Sequence, residues 1–175
     1  MNKKIYLGMC LLGITGSLWS GTLTVTNMND TGAGSLRDAI TNASSGDSIV
    51  FDTGGTITLD SPLPKIDKNL SINGSGQTIT IDGVDTYRPF TIISGTVEIK
   101  NLTIEDGLAK GGDGGNGGLE SPDARGGGAG GGLGAGGAIF ANEGVNLTVE
   151  KITFQSGKAE GGDGGDGGSG SGFGG

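Results

Sequence analysis

The chain has 175 residues, 33% of them hydrophobic, with 41 glycines, no histidine and a formal net charge of -8. An acidic surface without a basic stripe repels phosphate backbones and argues against nucleic acid as a partner, and the missing histidine removes the commonest general base and metal ligand. The apolar content suffices for a thin core of a few stacked units, each inward Ile, Leu or Val contributing roughly 1.5–3 kcal/mol when buried.

Lys3 and Lys4 precede an apolar run from Ile5 through Trp19, followed by small residues at Ser20 and Gly21. This reads as a secretory signal peptide over residues 1–20, with cleavage near Ser20. A transmembrane anchor is the competing reading, but the run is short and interrupted by Gly8, Gly13 and Gly16. Cys10 leaves with the leader, so the mature chain has no cysteine and no disulfide framework. Taking Lys3 and Lys4 from the 11 basic residues leaves 9 against 19 acidic ones.

A strand is expected over Thr22–Thr26. Ser35-Leu36-Arg37-Asp38 then fits a helix-starting capping box, and Leu36, Ala39, Ile40 and Ala43 form an apolar stripe at helical spacing. The spacing predicts a short helix from Ser35 to Ala43 lying over the first stacked unit. Short strands follow at Ser48–Phe51, Thr56–Leu59, Asn69–Ile72, Thr78–Ile81 and Phe90–Ile93, punctuated by Gly54-Gly55, Asn73-Gly74 and Asp82-Gly83. Pro62 and Pro64 exclude a central strand over the connecting segment.

From Val97 the chain nearly overlays itself at a shift of fifty residues: VEIKNLTIEDGLAKGGDGGNGG falls on the stretch from Leu147, LTVEKITFQSGKAEGGDGGDGG. Val97 and Ile99 share one strand face, as do Leu102 and Ile104, but the three-residue step between the pairs breaks the alternation. A corner at Lys100-Asn101 restores both pairs to one interior, and Asn tolerates the left-handed backbone such a corner needs. Leu147, Val149, Ile152 and Phe154 repeat the pattern around Glu150-Lys151. A repeat of this size predicts an all-β parallel β-helix, a solenoid with a short amino-terminal capping helix and long Gly-rich loops, whose right hand is what the resemblance given below implies. An antiparallel sandwich could use the same strands, but a fifty-residue repeat is not expected of one.

The Gly-rich tracts, 111–137 and 161–175, read as insertions carried on one side of the solenoid formed by residues 21–175. Asp113, Asp163 and Asp166 invite a calcium reading, yet Gly115 and Gly165 occupy the positions where calcium β-roll repeats need an apolar residue. Soluble flexible loops explain the acids, and stacked polyglycine helices on the Gly-Gly-x rhythm are a further possibility. The Asn-x-Ser/Thr triplets at Asn42, Asn69, Asn73, Asn101 and Asn146 are mostly explained by turn chemistry. Asp82, Asp85 and Arg88 form the one compact acid and base group of the repeat region, where a solvated turn accounts for them without chemistry. No catalytic, cofactor-binding or metal-binding residue is therefore assigned, and no cofactor is expected.

Asn29-Asp30-Thr31-Gly32-Ala33-Gly34-Ser35-Leu36-Arg37-Asp38-Ala39-Ile40, followed by Gly46-Asp47-Ser48-Ile49-Val50-Phe51, resembles the opening of exported bacterial right-handed β-helix proteins, among them surface adhesins and autotransporter passengers. Gly136-Gly137-Ala138-Ile139-Phe140, with Asn146-Leu147-Thr148-Val149 and Ile152-Thr153-Phe154, is similar to the chlamydial polymorphic membrane proteins, although Gly157 stands where their second motif has Asn. The resemblance implies a secreted passenger displayed at the outer membrane, adhesive or antigenic, held by a carboxy-terminal barrel that would lie beyond Gly175. On this reading the chain is the amino-terminal part of a longer protein whose partner is a host-cell surface protein or glycan. The competing expectations are a polysaccharide lyase or hydrolase of the pectin-lyase-like type and a structural stalk.

Overall fold

The computed structural model describes residues 21–116 and 129–166, so the expected signal peptide and Cys10, with 117–128 and 167–175 of the glycine tracts, lie outside the described residues. The chain opens with β1 (Thr22–Val25) and the helix α1 (Leu36–Asn42). Short strands then alternate with turns: β2 (Asp47–Phe51), β3 (Gly55–Thr58), β4 (Leu70–Asn73), β5 (Ile79–Asp82) and β6 (Phe90–Ile92). The ten-residue β7 (Thr96–Glu105) leads to β8 (Leu108–Lys110), and after the first glycine tract come β9 (Ile139–Ala141), the ten-residue β10 (Asn146–Gln155) and β11 (Lys158–Glu160).

The helix forms where its capping signal stands. Ser35 Oγ accepts from the Asp38 amide at 3.1 Å, and the Asp38 carboxylate reaches back to the Gly34 amide at 3.1 Å, so side chains satisfy donors that the first turn leaves free. Lys68 closes the other end by donating to Ala43 O at 2.9 Å, a cation at the negative pole of the helix. Leu36, Ala39 and Ile40 face inward and join the core. Arg37, on the opposite side, donates to Asp30 O, Asp30 Oδ1, Ser61 O and Pro62 O, tying the helix to the proline segment.

Among the described residues every strand pair is parallel. Val97 pairs with Leu70 on one side and Leu147 on the other, while Leu102 pairs with Ile152. Alternation turns one side of each strand inward, so Ile49, Ile72 and Ile99 form one fully buried column and Ile57, Ile81 and Ile104 another. The bends come from positive φ at Asn101 (56°) and Lys151 (54°), which return both arms of a ten-residue strand to the same interior.

The strand order corrects the expected right-handed β-helix. Seven strands join one parallel sheet in the order β1-β2-β4-β7-β5-β3 with β10 beside β7, and two further sheets have two strands each, β11-β8 and β6-β9. The described residues are mostly β with one helix, and this order has a mixed, α/β-like character in place of a regular all-β solenoid. Two features of the chain account for it. β7 stays a single strand through its bend, pairing with β4 by its first arm and β5 by its second, so ladders that are separate in earlier segments merge. The spacing is also uneven: successive partners Leu23, Ile49, Ile72, Ile99 and Val149 are 26, 23, 27 and 50 residues apart, whereas a regular solenoid needs a constant period.

Candidate binding surface

The described parts of the glycine tracts are ordered by hydrogen bonds at every third residue. Gly111 and Gly114 amides donate to Glu160 O (2.9 Å) and Asp163 O (2.7 Å), so these segments run parallel. Ala129 and Gly132 donate to Gly115 O and Gly112 O, while Gly162 and Gly165 donate to Gly132 O and Ala129 O, so segment 129–132 runs antiparallel to both others. Three segments thus bond mutually with the three-residue rhythm of the polyproline II conformation, which has no internal hydrogen bonds and must satisfy its amides outside itself. This corrects the flexible-loop expectation over the described residues and realises the polyglycine alternative.

Glycine is required by the closeness of the segments. A methyl group at Gly114 would overlap Ala129 O, one at Gly131 would overlap Gly162 O, and one at Gly165 would overlap Gly115 O. At Gly112, Gly115 and Gly130 nothing lies within 4 Å of such a group. The rack has an inner face closed to side chains and an outer face open to them.

The acids among these glycines have structural partners. Asp113 Oδ1 accepts from the Asp163 amide at 2.9 Å and Asn116 Oδ1 accepts from the Asp166 amide at 2.9 Å, both across the fifty-residue repeat. Lys110 lies 3.7 Å from the Asp113 carboxylate. Among the described residues no three His, Cys, Asp or Glu side chains converge to hold a metal ion.

Asp82, Asp85 and Arg88 each engage a different partner. Asp82 Oδ1 accepts from the Val84 amide at 2.7 Å within its own turn, and Asp85 pairs with Lys158 at 2.8 Å, a hydrogen bond that raises the Lys158 pKa above its ordinary value. Arg88 donates to Gly136 O at 2.7 Å and to Ala135 O, with its guanidinium 5.1 Å from the centre of the Phe140 ring. These side chains fasten the 83–88 turn to the rack and to β11. The residues sequence reasoning missed are Arg88 and Lys158 as fasteners and Asp113 and Asn116 as caps, and the fifty-residue offset was the signal that could have found the caps.

The triplet asparagines stand at element ends and bends: Asn42 ends α1, Asn73 ends β4, Asn146 opens β10 and Asn101 makes the bend in β7. Asn69 Oδ1 accepts from the Thr96 amide at 2.8 Å, Asn73 Oδ1 accepts from Asn101 Nδ2 at 2.7 Å, and Asn42 bonds Asp38 on the helix. Asn146 opens β10, its amide donating to Gly95 O.

Outside the core, the β7 and β10 ladder presents a charged stripe in which Lys100 contacts Glu98 and lies 3.4 Å from Glu150. The hydrogen bond from Lys100 holds the Glu98 carboxyl below its ordinary value, and the same contact raises Lys100. Among the described residues no helix is long and apolar enough to cross a membrane. No family model matches the chain, and no curated protein is found similar to it.

Proposed function

We propose that this chain is an exported, surface-displayed binding protein, adhesin-like or antigenic, whose partner is a host-cell surface protein or glycan. The observation that carries the reading is the glycine rack: glycines packed too closely for side chains, holding a firm, repetitive surface beside a parallel ladder. Such a surface loses little conformational entropy when a partner settles on it. The leader-like residues 1–20 and the similarity of 29–51 to the opening of exported surface proteins support export and display.

The test is attachment of beads coated with the purified chain to cultured epithelial cells. The reading expects saturable attachment, competed by soluble chain and weakened when Gly131→Ala and Gly162→Ala disturb the rack. Absence of attachment, or sustained turnover of acidic glycans abolished by Asp82→Asn, would overturn it.

A further inference from the structure

We propose that Asp47 is the receptor for a new amino terminus: cleavage between Ser20 and Gly21 turns the Gly21 nitrogen into an ammonium that pairs with this buried carboxylate, so that removal of the leader fastens the first strand. The inference rests on the export part of the reading above and adds to it a cleavage position and the side chain that receives the product.

Asp47 opens β2 and is 9% exposed. Its Oδ1 accepts from the Gly21 amide at 2.7 Å and its Oδ2 from the Ser44 amide at 2.8 Å. Among the described residues no Lys or Arg pairs with it, the salt bridges there engaging Asp30, Asp85, Glu98, Asp113 and Glu150. Lys68 comes to the neighbouring end of α1, but its Nζ donates to Ile40 O and Ala43 O. A carboxylate so far from water is costly without a cation, and two neutral amides offset only part of that cost.

The Gly21 nitrogen stands where the missing charge is needed. Gly21 O accepts from the Ser48 amide at 2.9 Å, which makes Gly21 the first link of the β1 and β2 ladder and fixes its nitrogen beside Asp47. A methyl group at Gly21 would lie 3.0 Å from Asp47 Oδ1 and 3.3 Å from Cγ, so the lack of a side chain lets the carboxylate close on this nitrogen. Gly21 is itself exposed, and an ammonium there can give one N–H to Asp47 and the others to water. The sequence marks the same peptide bond, because the small residue Ser20 follows the apolar run of the leader-like stretch.

A leader-cleaving protease adds water across that bond. Hydroxide goes to the Ser20 carbonyl carbon as the C–N bond breaks, and a proton goes to the Gly21 nitrogen. The proton that the new Ser20 carboxyl releases converts the amine to an ammonium below its ordinary pKa of about 7.7–8.0. Uncleaved, the nitrogen offers Asp47 one neutral N–H; cleaved, it offers a cation at the same place.

The full chain, exported from a bacterial host, tests the proposal beside a variant with a glutamine inserted between Ser20 and Gly21. Cleavage after Ser20 then leaves the ammonium one residue away and a neutral amide on Asp47. Mass spectrometry is expected to find Gly21 at the amino terminus of the exported chain. Urea unfolding is expected to give an equilibrium constant for folding about ten-fold higher for the exported chain than for the insertion variant, and a difference within about two-fold when both carry Asp47→Asn. Acylation of the terminal amine at about pH 7 is expected to be about ten-fold slower in the exported chain than in the insertion variant, a readout that needs no change at Asp47. A product that keeps residues 1–20 overturns both the export reading and the proposal. A processed chain that begins elsewhere than Gly21 overturns the proposal alone. So do equal stability or equal amine reactivity of the two chains, and a stability difference that persists with Asp47→Asn.

Discussion

Asn101 and Lys151 occupy the same bend fifty residues apart, with φ of 56° and 54°. Asn101 suits it twice over, tolerating left-handed backbone and donating Nδ2–H to Asn73 Oδ1 at 2.7 Å. Lys151 holds the same conformation without that tolerance. Lys151→Asn is therefore expected to raise stability by about 0.5–1 kcal/mol, and Asn101→Val to lower it by about 2 kcal/mol, through backbone strain and the lost hydrogen bond. Urea unfolding of both variants at equal chain concentration checks the pair.

The two ten-residue strands share a pattern but not a burial. Ile99→Ala, deep in its column, is expected to cost about 2–5 kcal/mol. Val149→Ala, at the equivalent position one strand outward and 41% exposed, should cost about 1 kcal/mol or less. Equal losses would mean that β10 is covered as fully as β7.

Arg37 holds the helix to the proline segment through a charge pair with Asp30 at 2.6 Å, in which the Asp30 side chain is nearly inaccessible. Arg37→Ala leaves that carboxylate buried without its cation and should cost about 3 kcal/mol or more. Asp30→Asn with Arg37→Ala should cost less than the single change. A double-mutant cycle by thermal unfolding measures the coupling.

Glu98 and Lys100 give a pH dependence at each extreme. The depressed Glu98 carboxyl binds fewer protons folded than unfolded, so its contribution is present above the ordinary value of 4.5 and is lost as pH falls through the lower folded value. The raised Lys100 contributes below 10.5 and loses its contribution as pH rises through its higher folded value. In Lys100→Met the Glu98 titration, followed by carboxyl carbon shifts, is expected to move upward toward 4.5.

Local signals in this sequence translated well into local structure. The capping box at Ser35 and the stripe of Leu36, Ala39 and Ile40 mark the helix, and alternation marks the inward residues of β7 and β10. The strand order was not readable, because uneven offsets between partners conceal which strands will neighbour one another, and because a corner at Asn101 does not reveal that β7 remains one strand spanning two ladders. Glycine tracts carry no side-chain alternation, so flexible and racked chains differ only in distant backbone bonds. Arg37 likewise acts through carbonyls some 25 residues away, beyond the reach of motif reading.

The central claim is that close backbone packing racks the glycine tracts beside the ladder, and amide hydrogen exchange at single glycines tests it most directly. The account predicts protection at Gly111, Gly114, Gly132, Gly162 and Gly165, with fast exchange at Gly112, Gly115 and Gly130. It further predicts that Gly131→Ala abolishes the protection while Gly130→Ala preserves it. Uniformly fast exchange across these positions, or equal effects of the two substitutions, would contradict it.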